Sequence, residues 1–170
     1  MVDLTEISAM VAAAGVLVGV VYYILDMRHQ SKVRQTDLAI RLHSQVCTKE
    51  FMEALHKLLS AEYKDYNDFV KRYGDVRSEN PVPIAFGMVC MYLEGNGVLL
   101  HRKLVDIDLI RDLFNVVSWW EKLKPIIYGV REERHLPEYY EWFEYLANEM
   151  KKSVQKLKGK VLSNQPLSKC

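Results

Sequence analysis

The chain has 170 residues and a mass of 19.8 kDa, room for one domain plus an appendage. Hydrophobic residues make up 49% and charged residues 26%, which excludes a disordered or collagenous chain. The net charge of +1 argues against a nucleic-acid partner, and three scattered cysteines (Cys47, Cys90, Cys170) make neither a disulfide framework nor a zinc finger.

From Ile7 to Leu25 nineteen residues pass without a charge. As a helix they would span about 28 Å, close to the hydrocarbon thickness of a bilayer. A signal peptide fits less well. Asp3 and Glu6 stand where it needs Lys or Arg, and no small-x-small cleavage site follows. The expectation is an uncleaved, single-pass transmembrane helix in the cell membrane. Arg28, Lys32, Arg34 and Arg41 follow the run, so the N-terminus is expected outside and the C-terminus in the cytoplasm. Ser8, Ala12, Gly15 and Gly19 fall on one face of this helix. Small residues let helix backbones approach closely in lipid, so this stripe predicts association with a second copy or another membrane protein. The apolar helix is expected to continue through a basic juxtamembrane stretch, residues 26–46, which holds no Gly or Pro.

The body is expected over residues 47–150 and reads as helical throughout. Thr48 caps a helix striped by Phe51, Ala54, Leu55, Leu58 and Leu59. Tyr66, Phe69, Val70 and Tyr73 mark a second, stopped by Gly74. After a polar loop and Pro81-Val82-Pro83, a helix is predicted from about Ile84 to Glu94, ended by Gly95-Asn96-Gly97. Asp106 caps the next, with Leu109, Ile110, Leu113, Phe114 and Val117. Trp119, Leu123, Ile126, Ile127 and Val130 form another stripe, with Pro125 at or near its first turns or kinking it. Pro137 suits the first turn of a last helix carrying Tyr139, Trp142, Phe143, Leu146 and Met150. The fold class is therefore all-α: one membrane helix continuing into a cytoplasmic bundle. Charge is segregated along it, net +2 over residues 26–46, −5 over 47–150 and +6 over 151–170. The basic tail (Lys151, Lys152, Lys156, Lys158, Lys160, Lys169) could lie on anionic lipid or be plain solvated chain.

No spacing specifies a catalytic site or a cofactor. Glu53-x-x-His56 and Glu132-x-x-His135 have the ligand types of a carboxylate-bridged metal pair. The helical wheel turns both pairs away from their apolar faces, by about 120–200°, whereas such ligands must point inward. His43 and Cys47 share a helix face but lack a second pair of ligands. Cys90 lies among apolar residues and reads as core. Phosphate-loop and nucleophile-elbow motifs are absent, and the Ser-Lys-Cys ending resembles a peroxisomal address only loosely. Glu94 closes an apolar helix and is expected to accept backbone hydrogen bonds or to pair with an Arg such as Arg131. Of eighteen aromatic residues many cluster at Trp119-Trp120 and Tyr139–Phe143, and doubled aromatics cannot all face one stripe. Trp120 or Tyr140 is thus expected to be partly exposed, and the two are the candidate partner surface.

At Leu93-Glu94-Gly95, Asp106-Ile107-Asp108, Trp119 to Pro125, Arg131 and Phe143 to Ala147 the chain resembles an uncharacterised prokaryotic family. That resemblance, from the membrane helix to about residue 150, implies one N-terminal transmembrane helix and a helical cytoplasmic domain. It carries no activity to transfer. The reading is a membrane-anchored interaction or scaffold module. An auxiliary subunit of a larger membrane complex and an anchored enzyme are the alternatives.

Overall fold

A computed structural model describes residues 3–163, and its regular structure is helical throughout. By packing, the chain divides into two units, Met1–Leu38 and Ala39–Cys170.

The first unit is the leading part of helix α1, Leu4–Val46. It holds an apolar segment long enough to cross a membrane. Val11, Val18 and Tyr22, among others, leave their side chains uncovered.

The second unit opens with the end of α1, where Ala39 and Val46 are buried. Thr48 ends one helix and starts the next. Its hydroxyl accepts from the Phe51 N–H at 3.3 Å and caps α2, Lys49–Ser60. The α2 stripe buries Phe51, Leu55 and Leu58. Asp65 caps α3, Tyr66–Tyr73, by accepting from the Asp68 N–H. Gly74 stops it at φ +92°, a conformation that suits glycine. Then come α4 (Pro81–His101), α5 (Ile107–Leu113, capped by Asp106), α6 (Val116–Arg134) and α7 (Glu141–Ser163). Helix α4 packs on α7 and α2, while α6 packs on α7 and α3. The core lies between them, with Phe69, Phe86, Leu93, Ile126, Phe143 and Leu146 fully enclosed.

Four sequence expectations change. Helix α4 starts three residues early, because Pro81 and Pro83 occupy a first turn that needs no backbone donor. It also runs straight through Gly95-Asn96-Gly97. A Cβ on Gly97 would lie 2.0 Å from the Trp142 carbonyl oxygen, so this glycine lets α7 approach and does not end the helix. Asn96 is buried and donates back to the Tyr92 carbonyl at 2.9 Å. Val117 belongs to α6, since the chain breaks at Phe114 and Asn115. Pro137 precedes the last helix. Residues 137–140 form turns, Tyr140 takes the left-handed φ of 55°, and α7 begins at Glu141 and runs past Met150. Pro125 sits inside α6 without ending it.

Helix α4 is also long and apolar enough to cross a membrane. It buries Phe86, Val89, Cys90 and Leu93, the pattern of a core helix.

Candidate interaction surface

On α1, Ser8, Ala12, Gly15 and Gly19 are all exposed. A Cβ added to Gly15 or Gly19 would meet nothing within 4 Å. No neighbour among the described residues requires either glycine.

Of the two expected aromatics, Tyr140 is partly exposed and Trp120 is corrected. Trp120 is 2% exposed and belongs to the core. Helix α6 buries Val116, Trp120, Leu123, Ile126, Ile127 and Val130, the expected stripe except that Trp120 takes the place of the half-buried Trp119. The Trp120 ring meets Phe143 edge-on at 5.1 Å and Tyr128 at 5.9 Å. Tyr140 is half-buried, edge-on to Phe86 at 6.0 Å and 4.3 Å from Tyr139. Burial pushes its phenol far above the usual range. Among the described residues of the second unit, the exposed aromatic ring is Tyr128, at 45%.

A second surface was not legible in the sequence. Ile84, Met88 and Met91 project from α4 to solvent, Met91 at 71% exposure, with exposed Gly95 in line. They recur at helical spacing on the side away from Phe86, Val89, Cys90 and Leu93. The signal was there, an apolar residue on every face of one helix, but it equally describes a wholly buried helix.

Between α4, α6 and α7 lies a polar cluster. The Glu94 carboxylate reaches the first turn of α7 and accepts from the Phe143 N–H at 2.7 Å and from the Trp142 N–H. These donors have no partner within the helix, so Glu94 caps α7 from another element. Burial still pushes its carboxyl above the usual range, against the pull of the two donors. Arg131 pairs with Glu144, at 2.6 Å, and its Nε donates to the Tyr139 carbonyl at 2.9 Å. The Tyr128 hydroxyl donates to the other Glu144 oxygen at 2.7 Å. Burial raises the Glu144 carboxyl, but Tyr128 and Arg131 outweigh it and hold it low. These bonds join α4, α6 and α7.

The remaining candidates scatter. Glu53, His56, Glu132 and His135 are exposed, as the wheel indicates. His43 and Cys47 do meet, with Sγ 3.5 Å from Nε2. Among the described residues no three His, Cys, Asp or Glu side chains group to hold a metal. Cys90 is buried in α4, and burial raises its thiol. An open groove of about 600 Å³ runs between the α5–α6 junction and α7, lined by Leu113, Phe114, Val117 and Met150. The basic groups at its rim are engaged, Arg111 by Asp108 and Ser153, Lys151 by Glu121. Of the basic tail, Lys152 is ion-paired with Glu149, while Lys158, Lys160 and Lys169 lie outside the described side chains, as does Cys170.

The class these features define is an all-helical domain headed by a long apolar helix. The chain belongs to the DUF4760 family, a domain of unknown function, matched over residues 9–150. That range covers both the apolar segment and the helical body. No curated protein and no solved structure matches the chain.

Proposed function

We propose that this protein is a membrane-anchored helical interaction module, with the apolar part of α1 as its anchor and the helical body in the cytoplasm. The observation that carries the reading is the apolar surface of residues 10–25, left uncovered by the described residues. Water is a poor solvent for such a surface, and hydrocarbon is a good one. Arg28, Lys32 and Arg34 keep the C-terminal side inside. The Ser8-Ala12-Gly15-Gly19 stripe supplies a face for a neighbouring helix. The test is extraction and protease protection. The full chain with a C-terminal tag should stay in the membrane through alkaline carbonate. Protease outside intact cells should leave the tag whole. Release by carbonate, or loss of the tag, overturns the reading.

A second reading, as an auxiliary subunit of a larger membrane complex, is favoured by the exposed Ile84-Met88-Met91 stripe. Purification in mild detergent separates the two. A stoichiometric foreign subunit supports the second reading, and copies of this chain alone support the first.

A further inference from the structure

Helix α4 carries two glycines that its own chain does not use. A Cβ on Gly97 would strike the Trp142 carbonyl, and one on Gly129 of α6 the Tyr66 side chain. A Cβ on Gly87 or Gly95 meets nothing within 4 Å among the described residues. Glycine inside a helix is destabilising relative to alanine, and its gain is a closer approach by another helix. Both glycines lie on the outer face of α4. Ile84, Gly87, Met88, Met91, Gly95 and Val98 fall within a sector of about 100°. Ile84, Met88, Met91 and Gly95 are exposed, and Gly87 and Val98 form the half-buried edge.

The spacing of this face reads the same in both directions. Ile84, Gly87, Met91, Gly95 and Val98 follow at intervals of three, four, four and three, centred on Met91. A surface that pairs with its own copy about a twofold axis must be complementary to itself. With two α4 helices antiparallel and the axis at Met91, Met91 meets its own copy. Ile84 then lies beside Val98 of the second copy, and Met88 lies over Gly95 of the second copy, so a long side chain enters each glycine hollow. The charges at the ends select the same arrangement. Exposed Glu79 precedes the first turn of α4, and exposed Arg102 and Lys103 follow the last. Glu79 and Lys103 each stand twelve residues from Met91. The antiparallel pair therefore sets Glu79 against Lys103 twice, whereas a parallel pair sets like charges and like helix ends together.

We infer that the exposed face of α4 is the contact between two copies of this chain, paired antiparallel about Met91. This contact does not depend on the anchor, because the face belongs wholly to the second unit. It gives to a second copy the stripe that the auxiliary-subunit reading gives to a foreign chain.

The experiment is oxidative cross-linking of the full chain in mild detergent, with Cys47→Ser and Cys170→Ser as background and the buried Cys90 left in place. Met91→Cys should link to its own copy several-fold more than Ile84→Cys, although both positions are exposed. The two copies of residue 84 would stand about 21 Å apart along the helices, far beyond the reach of a disulfide. Ile84→Cys mixed with Val98→Cys should link. Gly95→Leu should lower the Met91→Cys yield several-fold with helicity by circular dichroism unchanged, because it fills the hollow that Met88 enters. Glu79→Lys and Lys103→Glu should each lower the yield about twofold to threefold, since each turns two attractions into repulsions, and combining them should restore it. Equal yields at positions 84 and 91, an unchanged yield in Gly95→Leu, or a charge swap that does not restore it overturns the pairing. So does Met91→Cys trapping a foreign chain in place of a second copy, which returns the stripe to the auxiliary-subunit reading.

Discussion

Glu94 holds the free end of α7 with an acceptor oxygen in a place where its charge is costly. Burial raises its carboxyl, so its contribution is greatest below the ordinary carboxylate range and declines as pH rises through the raised value. Glu94→Gln keeps an oxygen for the Phe143 N–H, whereas Glu94→Ala leaves that donor unmet. The alanine variant should lose about 1–3 kcal/mol in urea unfolding and the glutamine variant much less. Equal losses would mean that the charge at the helix terminus is what matters. Asp75 has the opposite sign. The Arg134 guanidinium 2.5 Å away, helped by the Arg77 N–H, holds its carboxyl below the usual range. That stability is present above the unfolded carboxylate pKa of about 4 and is lost as pH falls through the depressed value. The stability gap between the native chain and Asp75→Asn should therefore shrink on acidification, measured as urea midpoints from about pH 6 downward. A gap that is constant with pH would remove the ion pair as its cause.

Helix α4 carries two glycines with opposite roles. Gly95 is exposed, and a Cβ there meets nothing within 4 Å. Gly95→Ala should stabilise by about 0.5–1 kcal/mol, because alanine loses less backbone entropy in a helix. Gly97 faces the α7 backbone, where a Cβ would fall 2.0 Å from a carbonyl oxygen. Gly97→Ala must push α7 away and should cost about 1–3 kcal/mol. Thermal melting of both variants checks the pair, and equal signs would contradict the packing of α4 on α7. The same close approach recurs where α6 meets α3, with Gly129 against Tyr66.

The body should fold without the apolar segment. Its helices cover one another's stripes, and its core is built from residues beyond Ala39. A chain beginning at Asp26 should be soluble, helical by circular dichroism and cooperative in melting. Aggregation, or a broad melt without a cooperative transition, would show that the core needs the segment removed.

What the sequence determined by itself was local. Thr48, Asp106 and Gly74 act through bonds to residues within one turn, so their chemistry is readable where they stand. The outward turn of Glu53, His56, Glu132 and His135 follows from helical spacing alone. The tertiary structure decided whatever depends on a distant neighbour. Gly97 reads as a helix stop until Trp142 lies against it. The spacing assigns Trp119 to the core, yet it is Trp120 that meets Phe143. Arg131 could have joined Glu94 but joins Glu144, because the start of α7 brings its own free N–H groups to Glu94. The exposed α4 stripe was hidden for the same reason. Periodicity reports which residues share a face, and only the packing of the other helices decides which faces are covered.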